Sequence, residues 1–496
     1  MIKYLLYILL ILLIPSIALA ATPTASTDQN QLLESLYQIL SGILNFSIGG
    51  MPLIVLWLIA GAAFFTVRMK FINFRAFGHA IQVVMGKYDD PDETGEVTHF
   101  QALSAALAGT VGLGNIAGVA IAISVGGPGA AFWMTVGGLL AMTTKFVECT
   151  LGLKYREVQP DGTVAGGPMQ YLSKGLAEKG YAKLGQILAV MFCVLSLFGG
   201  CIGSSMFQTN QSFLAVAQVM PWFTDKAWLY GLLMMFLVGL IVLGGIKRIG
   251  AVAGTMVPAM CGIYVLAALW VILANISNLP NAIAQIIVQA FSANAIAGGF
   301  IGVVVQGFRR SAYSNTAGMG VAAMAHAAAK TNEPVREGIV ALLEPFIDTV
   351  IVCNMTALVM VITGAYNNPQ FQGLNGAQIT QEAFRLVIPW FPYILAVCIF
   401  LFAFSTVMTW GYFGQLCWEY LFGTRITIAF KVAFLLIVYL GAVIQPKVLI
   451  ELSDLMFISI AFPNLLGCYF LSNDVALDMK NYMYRLRTGE LEIVRS

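Results

Sequence analysis

The sequence predicts an all-α integral membrane protein: eleven transmembrane helices after a signal peptide, with one extra N-terminal helix ahead of a 5+5 inverted repeat. Three observations predict it. Of the 496 residues, 59% are hydrophobic and only 10% are charged, against about 25% charged in a soluble domain. Apolar stretches of about 20 residues, enough to cross a bilayer, recur along the chain. Two of those stretches, one opening each set of five, are interrupted near mid-length by glycine-rich and polar sequence. The lipid bilayer is therefore a partner, and a net charge of +2 argues against nucleic acid.

Taken in order, Met1 to Ala20 joins one lysine, an apolar core and Ala18-Leu19-Ala20, the pattern of a signal peptide. An uncleaved anchor is the alternative. Residues 21–51 follow as an exported N-terminal segment, and 52–99 hold the extra helix (52–68) and a cytoplasmic loop. The first repeat, 100–275, has spans near 100–123, 129–152, 186–207, 227–245 and 251–275. An outer connector, 276–295, leads into the second repeat, 296–471. Its spans lie near 296–326, 338–364, 389–411, 427–444 and 448–471, and a cytoplasmic tail, 472–496, ends the chain. Positive charge sets the orientation. Arg68, Lys70, Arg75, Lys154, Arg156, Lys247, Arg248, Lys330, Arg336, Lys480 and Arg487 all fall on the inner side, while the outer side has Lys226, Arg385 and Lys447. The N-terminus is thus outside after cleavage and the C-terminus cytoplasmic, in a multi-pass protein of the cell (inner) membrane. The eight cysteines are scattered through apolar segments without a CxxC, so neither a disulfide framework nor a zinc site is indicated.

The first interruption reads AGTVGLGNIAGV (108–119), with glycines at 109, 112, 114 and 118 inside a stretch free of charge from Phe100 to Ser124. Each glycine weakens a helix interior by roughly 1 kcal/mol relative to alanine. The second lies in VVVQGFRRSAYSNTAGMGVAAMAHAAA (303–329), broken from Arg309 through Thr316 and on to Gly320. Interrupted helices at corresponding places in oppositely oriented halves are the mark of secondary transporters. Backbone without helical partners survives at membrane depth only where it lines a cavity. Its free N–H groups favour a carboxylate, and its free carbonyls favour a small cation. Such a site suits a zwitterion travelling with sodium.

Rival readings use the same residues. Thr110 to Gly114 (TVGLG) nearly matches a potassium-channel filter, which needs four converging loops; one copy stands here. Gly114 and Gly118 form a GxxxG that simple helix packing also explains. His79, His99 and His326 sit near predicted cytoplasmic ends rather than together, and no HExxH or GxSxG occurs, so the protein is not read as an enzyme. Lys145 and Glu148, three apart, suggest an ion pair on one helix face. Glu344 and Asp348 suggest a gating network with Arg309 or Arg310.

Several motifs resemble one known family, the alanine/glycine:cation symporters or sodium:alanine symporters. They are GTVGLGNIAGVA (109–120), GGPGAAFWM (126–134), AGGPMQYL (165–172), VLGGIKRIG (242–250) and SNTAGMG with AHAAAKT (314–331). The resemblance runs from about residue 50 to 475 and implies a leucine-transporter-like fold. It also implies residue roles. Backbone N–H groups of Leu113 and Gly114 would hold the carboxylate of alanine or glycine, with Gln208 and the segment Tyr313, Ser314 and Asn315 also on the substrate. Trp410 would bound the side-chain space. Carbonyls of Ala108 and Val111 with Ser405 and Thr406 would bind Na+, the co-transported ion, and Thr110 and Asn115 would belong to a second sodium site. Thr135, Leu113 and Thr316 depart from the usual family residues, which leaves substrate, ion count and sodium versus proton open.

Overall fold

The computed structural model describes residues 38, 41–42 and 46–491, apart from 91, 161, 293–298, 372, 375 and 445–453. The expected signal peptide, most of the exported segment, Lys447 and the start of the last expected span lie outside the described residues. The chain is helical. Among the described residues strands are confined to two short antiparallel pairs, Ser47–Ile48 with Met51–Pro52 and Glu157–Val158 with Val164–Ala165.

The principal helices, in chain order, are α1 (Leu53–Arg68), α2 (Phe77–Val84), α3 (His99–Thr110), α4 (Val119–Gly126), α5 (Gly129–Lys154), α6 (Ala182–Leu195) and α7 (Ser205–Val219). Next come α8 (Ala227–Val242), α9 (Gly245–Ala274), α10 (Leu279–Ala290), α11 (Gly299–Asn315), α12 (Ala322–His326) and α13 (Pro334–Val340). The last are α14 (Leu343–Pro345), α15 (Asn354–Thr363), α16 (Gly376–Arg385), α17 (Phe391–Phe422), α18 (Thr427–Val443) and α19 (Ala461–Thr488). Among the described residues seven helical runs are long and apolar enough to cross a membrane, or eight if the bent pair at 99–126 counts as one span. α1 and α8 are apolar but shorter.

Small residues bring the helices together, since lipid supplies no hydrophobic drive between them. On α5, Gly137 lies against Ser311, Gly138 against Thr349 and Gly152 against Ala323. α17 runs through the interior beside α3, α7 and α9. Among the described residues wide π-type turns occur at Gly114–Gly118, Tyr171–Gly175, Ser196–Ser204 and Phe346–Cys353, and such turns gather at functional sites.

α3 and the helical run Gly114–Gly126 meet at 55°. Capping explains where the first arm begins: Thr98 accepts the N–H of Gln101, whose side chain accepts the Thr98 N–H. The second interruption is shorter and later than the sequence suggests. Arg309 to Asn315 stay helical in α11, and the chain leaves the helix only at Thr316–Val321. There Gly318 and Gly320 take φ of +89° and +75°, and Thr316, a β-branched residue, takes +53°. A β-branched side chain in that region is strained, and strain of this kind clusters at functional sites.

Candidate functional site

The first break faces the last turn of α11, which leads into the second. A Cβ at Gly114 would stand 3.6 Å from the Tyr313 carbonyl oxygen, so the absence of a side chain lets the two backbones approach. Asp348, from the π-type turn at 346–353, joins them: its carboxylate accepts from the Asn115 amide on one side and from Ser314 Oγ (3.0 Å) on the other.

Six backbone groups at the breaks have side-chain partners, which suits burial in a membrane. Gly112 N–H donates to Asn115 Oδ1 (3.2 Å) and Leu113 N–H to Gln208 Oε1 (3.1 Å). The Asn115 carbonyl accepts from Thr356 Oγ1 (2.8 Å). At the second break Ala317 N–H donates to Asn315 Oδ1 (2.9 Å), and Gly320 N–H donates to Glu148 Oε1 (3.1 Å). The Gly318 carbonyl accepts from Asn464 Nδ2 (2.7 Å). The partner of Leu113 differs from the rest: Gln208 reaches in from α7, on the wall of a cleft.

That cleft is lined by Gly114 of the first break and Thr316 of the second. Of the predicted residues Thr110, Gly114, Gln208, Tyr313, Thr406 and Trp410 line it. Leu113 contributes its backbone N–H through Gln208. Trp410 is fixed by Gly200, whose added Cβ would sit 1.9 Å from the indole, by an edge contact with Phe413 and by a tilted one with Phe457. Tyr313 stacks on Phe457 (5.4 Å between centroids) and donates to the Asp454 carbonyl at 2.8 Å. Ser314 and Asn315 do not line the cleft. Their side chains turn to the 346–353 segment, with Asn315 Nδ2 at 3.0 Å from Thr349 Oγ1.

The proposed sodium residues divide. Ser405 Oγ and Thr406 Oγ1 both donate to the Phe402 carbonyl at 2.9 Å, the ordinary back-bond of a helical hydroxyl, which leaves their lone pairs available. Thr406 also sits against Gly112, bringing α17 to the first break. Ala108 and Val111 are fully buried at the end of α3. Asn115 is committed to Gly112 and Asp348 rather than to Thr110.

Other expectations need correction. Lys145 and Glu148 do not pair with each other. Lys145 Nζ donates to Glu344 Oε1 (2.8 Å) and Thr316 Oγ1 (3.0 Å), while Glu148 holds Asn464 and Gly320. Neither Glu344 nor Asp348 meets Arg309 or Arg310; both guanidinium groups approach the Tyr313 ring instead, at 5.9 and 5.7 Å. Two of the histidines come together after all: His99 and His326 both bond Glu337, the second at 2.5 Å, and all three are buried. The sequence reading missed Asp348 as the bridge, and Arg310, Thr316, Asp454 and Phe457 as cleft residues. A charge within an apolar span, as at Asp348, is itself the signal that marks such a residue.

The model of the sodium:alanine symporter family matches residues 33–496. A sodium/alanine symporter, AgcS, of Methanococcus maripaludis is 38% identical over 432 residues, 87% of this chain and 94% of that protein. The amino-acid carrier protein AlsT of Bacillus subtilis is 34% identical, over 87% and 90% of the two chains. Among solved structures, MhsT in complex with L-phenylalanine superposes with a TM-score of 0.54 at 14% identity, covering 78% of this chain and 93% of that one. This last likeness concerns the fold alone and is of the leucine-transporter type. The chain belongs to the sodium:alanine symporter family: it is a multi-pass membrane symporter coupling an amino acid to a cation, and not an enzyme.

Proposed function

We propose that the protein imports alanine or glycine with sodium across the inner membrane by alternating access, on eleven spans arranged as an extra helix and two inverted sets of five. The observation that carries this reading is the Leu113 N–H, which donates to the side-chain oxygen of Gln208 at the wall of a cleft between two broken helices. A substrate carboxylate has the same acceptor chemistry as that amide oxygen and would take its place, with the Gly114 N–H beside it. Tyr313 and Trp410 bound a space suited to a small side chain, and Ser314 and Asn315 hold the second break from behind. Sodium, a hard cation, draws on the Ala108 and Val111 carbonyls with Ser405 and Thr406, and on Thr110 with Asn115 at a second site. Substrate and ion both order the same break, so each raises the affinity of the other.

A proton-coupled reading draws on the buried His99–Glu337–His326 cluster, since ionisable groups at membrane depth are functional candidates. Labelled alanine uptake into proteoliposomes, under a sodium gradient, a proton gradient or neither, separates the two. Accumulation with sodium alone is expected. Accumulation that ignores sodium removes the proposed ion sites.

A further inference from the structure

Away from the transport cleft, α1 and α19 frame another opening. Arg68, Lys70 and Arg75 form one wall, and Lys480 and Arg487 line the other. Among the described residues no acidic side chain lines it. Five like charges around one opening repel one another unless an anion sits between them.

All five cations are exposed, and their arrangement is uneven. α19 sorts its charges by face: Asp474 and Asp478, one turn apart, are neutralised by Lys179 (2.8 Å) and Lys154 (2.6 Å). Lys480 and Arg487, seven residues apart and so on one face, are left on the cleft side. None of the five cations forms an ion pair with a described carboxylate. Arg68 is held instead by the neutral Asn473 side chain, and Arg75 Nη1 donates to the Lys70 carbonyl at 3.3 Å. The turn between them is strained, because Lys70 and Phe71 take left-handed φ of 53° and 55° in succession. Strain held by surrounding structure points to a constraint other than stability. Phe71, Phe74 and Leu477, all more than a third exposed, put apolar surface beside the charges. Cations next to exposed apolar side chains at a membrane face match an amphiphile with a negative head.

We infer that this cleft binds the phosphate of an anionic phospholipid of the inner leaflet, with the acyl chains along Phe71, Phe74 and Leu477. The choice of leaflet rests on the orientation proposed above. The other parts of α1 and α19 give the lipid a route to transport. Leu58 of α1 and Leu465 of α19 both pack on Gly318, where an added Cβ would meet them at 2.8 and 3.4 Å. Asn464 of α19 also holds the Gly318 carbonyl. A lipid that clamps α1 to α19 therefore steadies the second break.

The test uses the full chain and three probes: inorganic phosphate, phosphatidylcholine vesicles, and vesicles of phosphatidylcholine with phosphatidylglycerol. Wild-type protein is expected to retain phosphatidylglycerol through detergent purification, as read by mass spectrometry of the extracted lipid. The triple variant Arg68→Gln, Lys480→Gln, Arg487→Gln is expected to lose it. A control with outer-side charges removed, Lys226→Gln with Arg385→Gln, should retain it. In the mixed vesicles the wild type should transport faster than in phosphatidylcholine alone, and the triple variant should lose that difference. Equal lipid retention by wild type and triple variant overturns the site, as does retention displaced by inorganic phosphate at the same concentration. Should alanine uptake be absent while selective lipid retention persists, the transport reading falls and the lipid site stands.

Discussion

Gly112 shows how tightly single residues are constrained at the first break. A methyl there would stand 2.6 Å from Thr406 Oγ1 and 3.0 Å from Gln208 Nε2, so Gly112→Ala must push one of them aside. Displacing Gln208 removes the bond that competes with a substrate carboxylate for the Leu113 N–H, worth about 1 kcal/mol, and the half-saturating alanine concentration should fall several-fold; unchanged uptake kinetics would detach Gln208 from the site. His79 makes a different kind of prediction, outside the spans. Burial, with the charge of Arg336 second, pushes its imidazole down to about 4 from 6.5, and Nε2 lies 2.8 Å from the Tyr482 hydroxyl. The folded protein keeps His79 neutral, so it adds stability above pH 6.5 that is lost as the pH falls from there towards 4. Melting temperatures measured across that window should fall less in His79→Gln than in the wild type.

Lys145 makes its case as part of a junction between elements. It projects from α5 to neutralise Glu344 of α14 and to bond Thr316 at the end of α11, all buried. Lys145→Met keeps the shape and strands the Glu344 charge, which costs about 3–5 kcal/mol when a buried pair is broken. A double change, Lys145→Met with Glu344→Gln, should recover a large part of the lost melting temperature, and absence of recovery would mean that the pair is not the cause. Elements of this type were only partly legible in the sequence. The AGTVGLGNIAGV break could be read because glycine is locally helix-weakening. The second was misplaced because Arg309-Arg310-Ser-Ala-Tyr looks polar, yet those residues keep helical backbone and turn their guanidinium groups to the Tyr313 ring. Pairings between distant helices, such as Lys145 with Glu344 or His99 with Glu337, leave no spacing along the chain to read. The i, i+3 rule therefore led to Glu148, the neighbour in sequence rather than the partner in space.

For the molecule as a whole, hydropathy gave the class and the approximate positions of the long apolar helices, while the number of crossings depends on elements that composition describes poorly. α11 carries two arginines, and α1 and α8 have 16 residues each. The proposed eleven crossings put Lys226 outside and Lys330 inside. A single cysteine at position 226, in a background with the eight native cysteines (all free) replaced, should react with an impermeant maleimide in intact cells, and one at 330 should react only after permeabilisation. The opposite pattern would invert the arrangement and with it the direction of transport.

The Gln208 amide at the Leu113 N–H has a consequence for the carrier between journeys. An unloaded protein would otherwise strand that donor in hydrocarbon, at a cost of roughly 1–3 kcal/mol; the amide stands in as an understudy, so the vacant molecule can make its return stroke without a passenger. The same arrangement limits grip. A cargo gains little by swapping one acceptor for another, which favours quick unloading over tight capture.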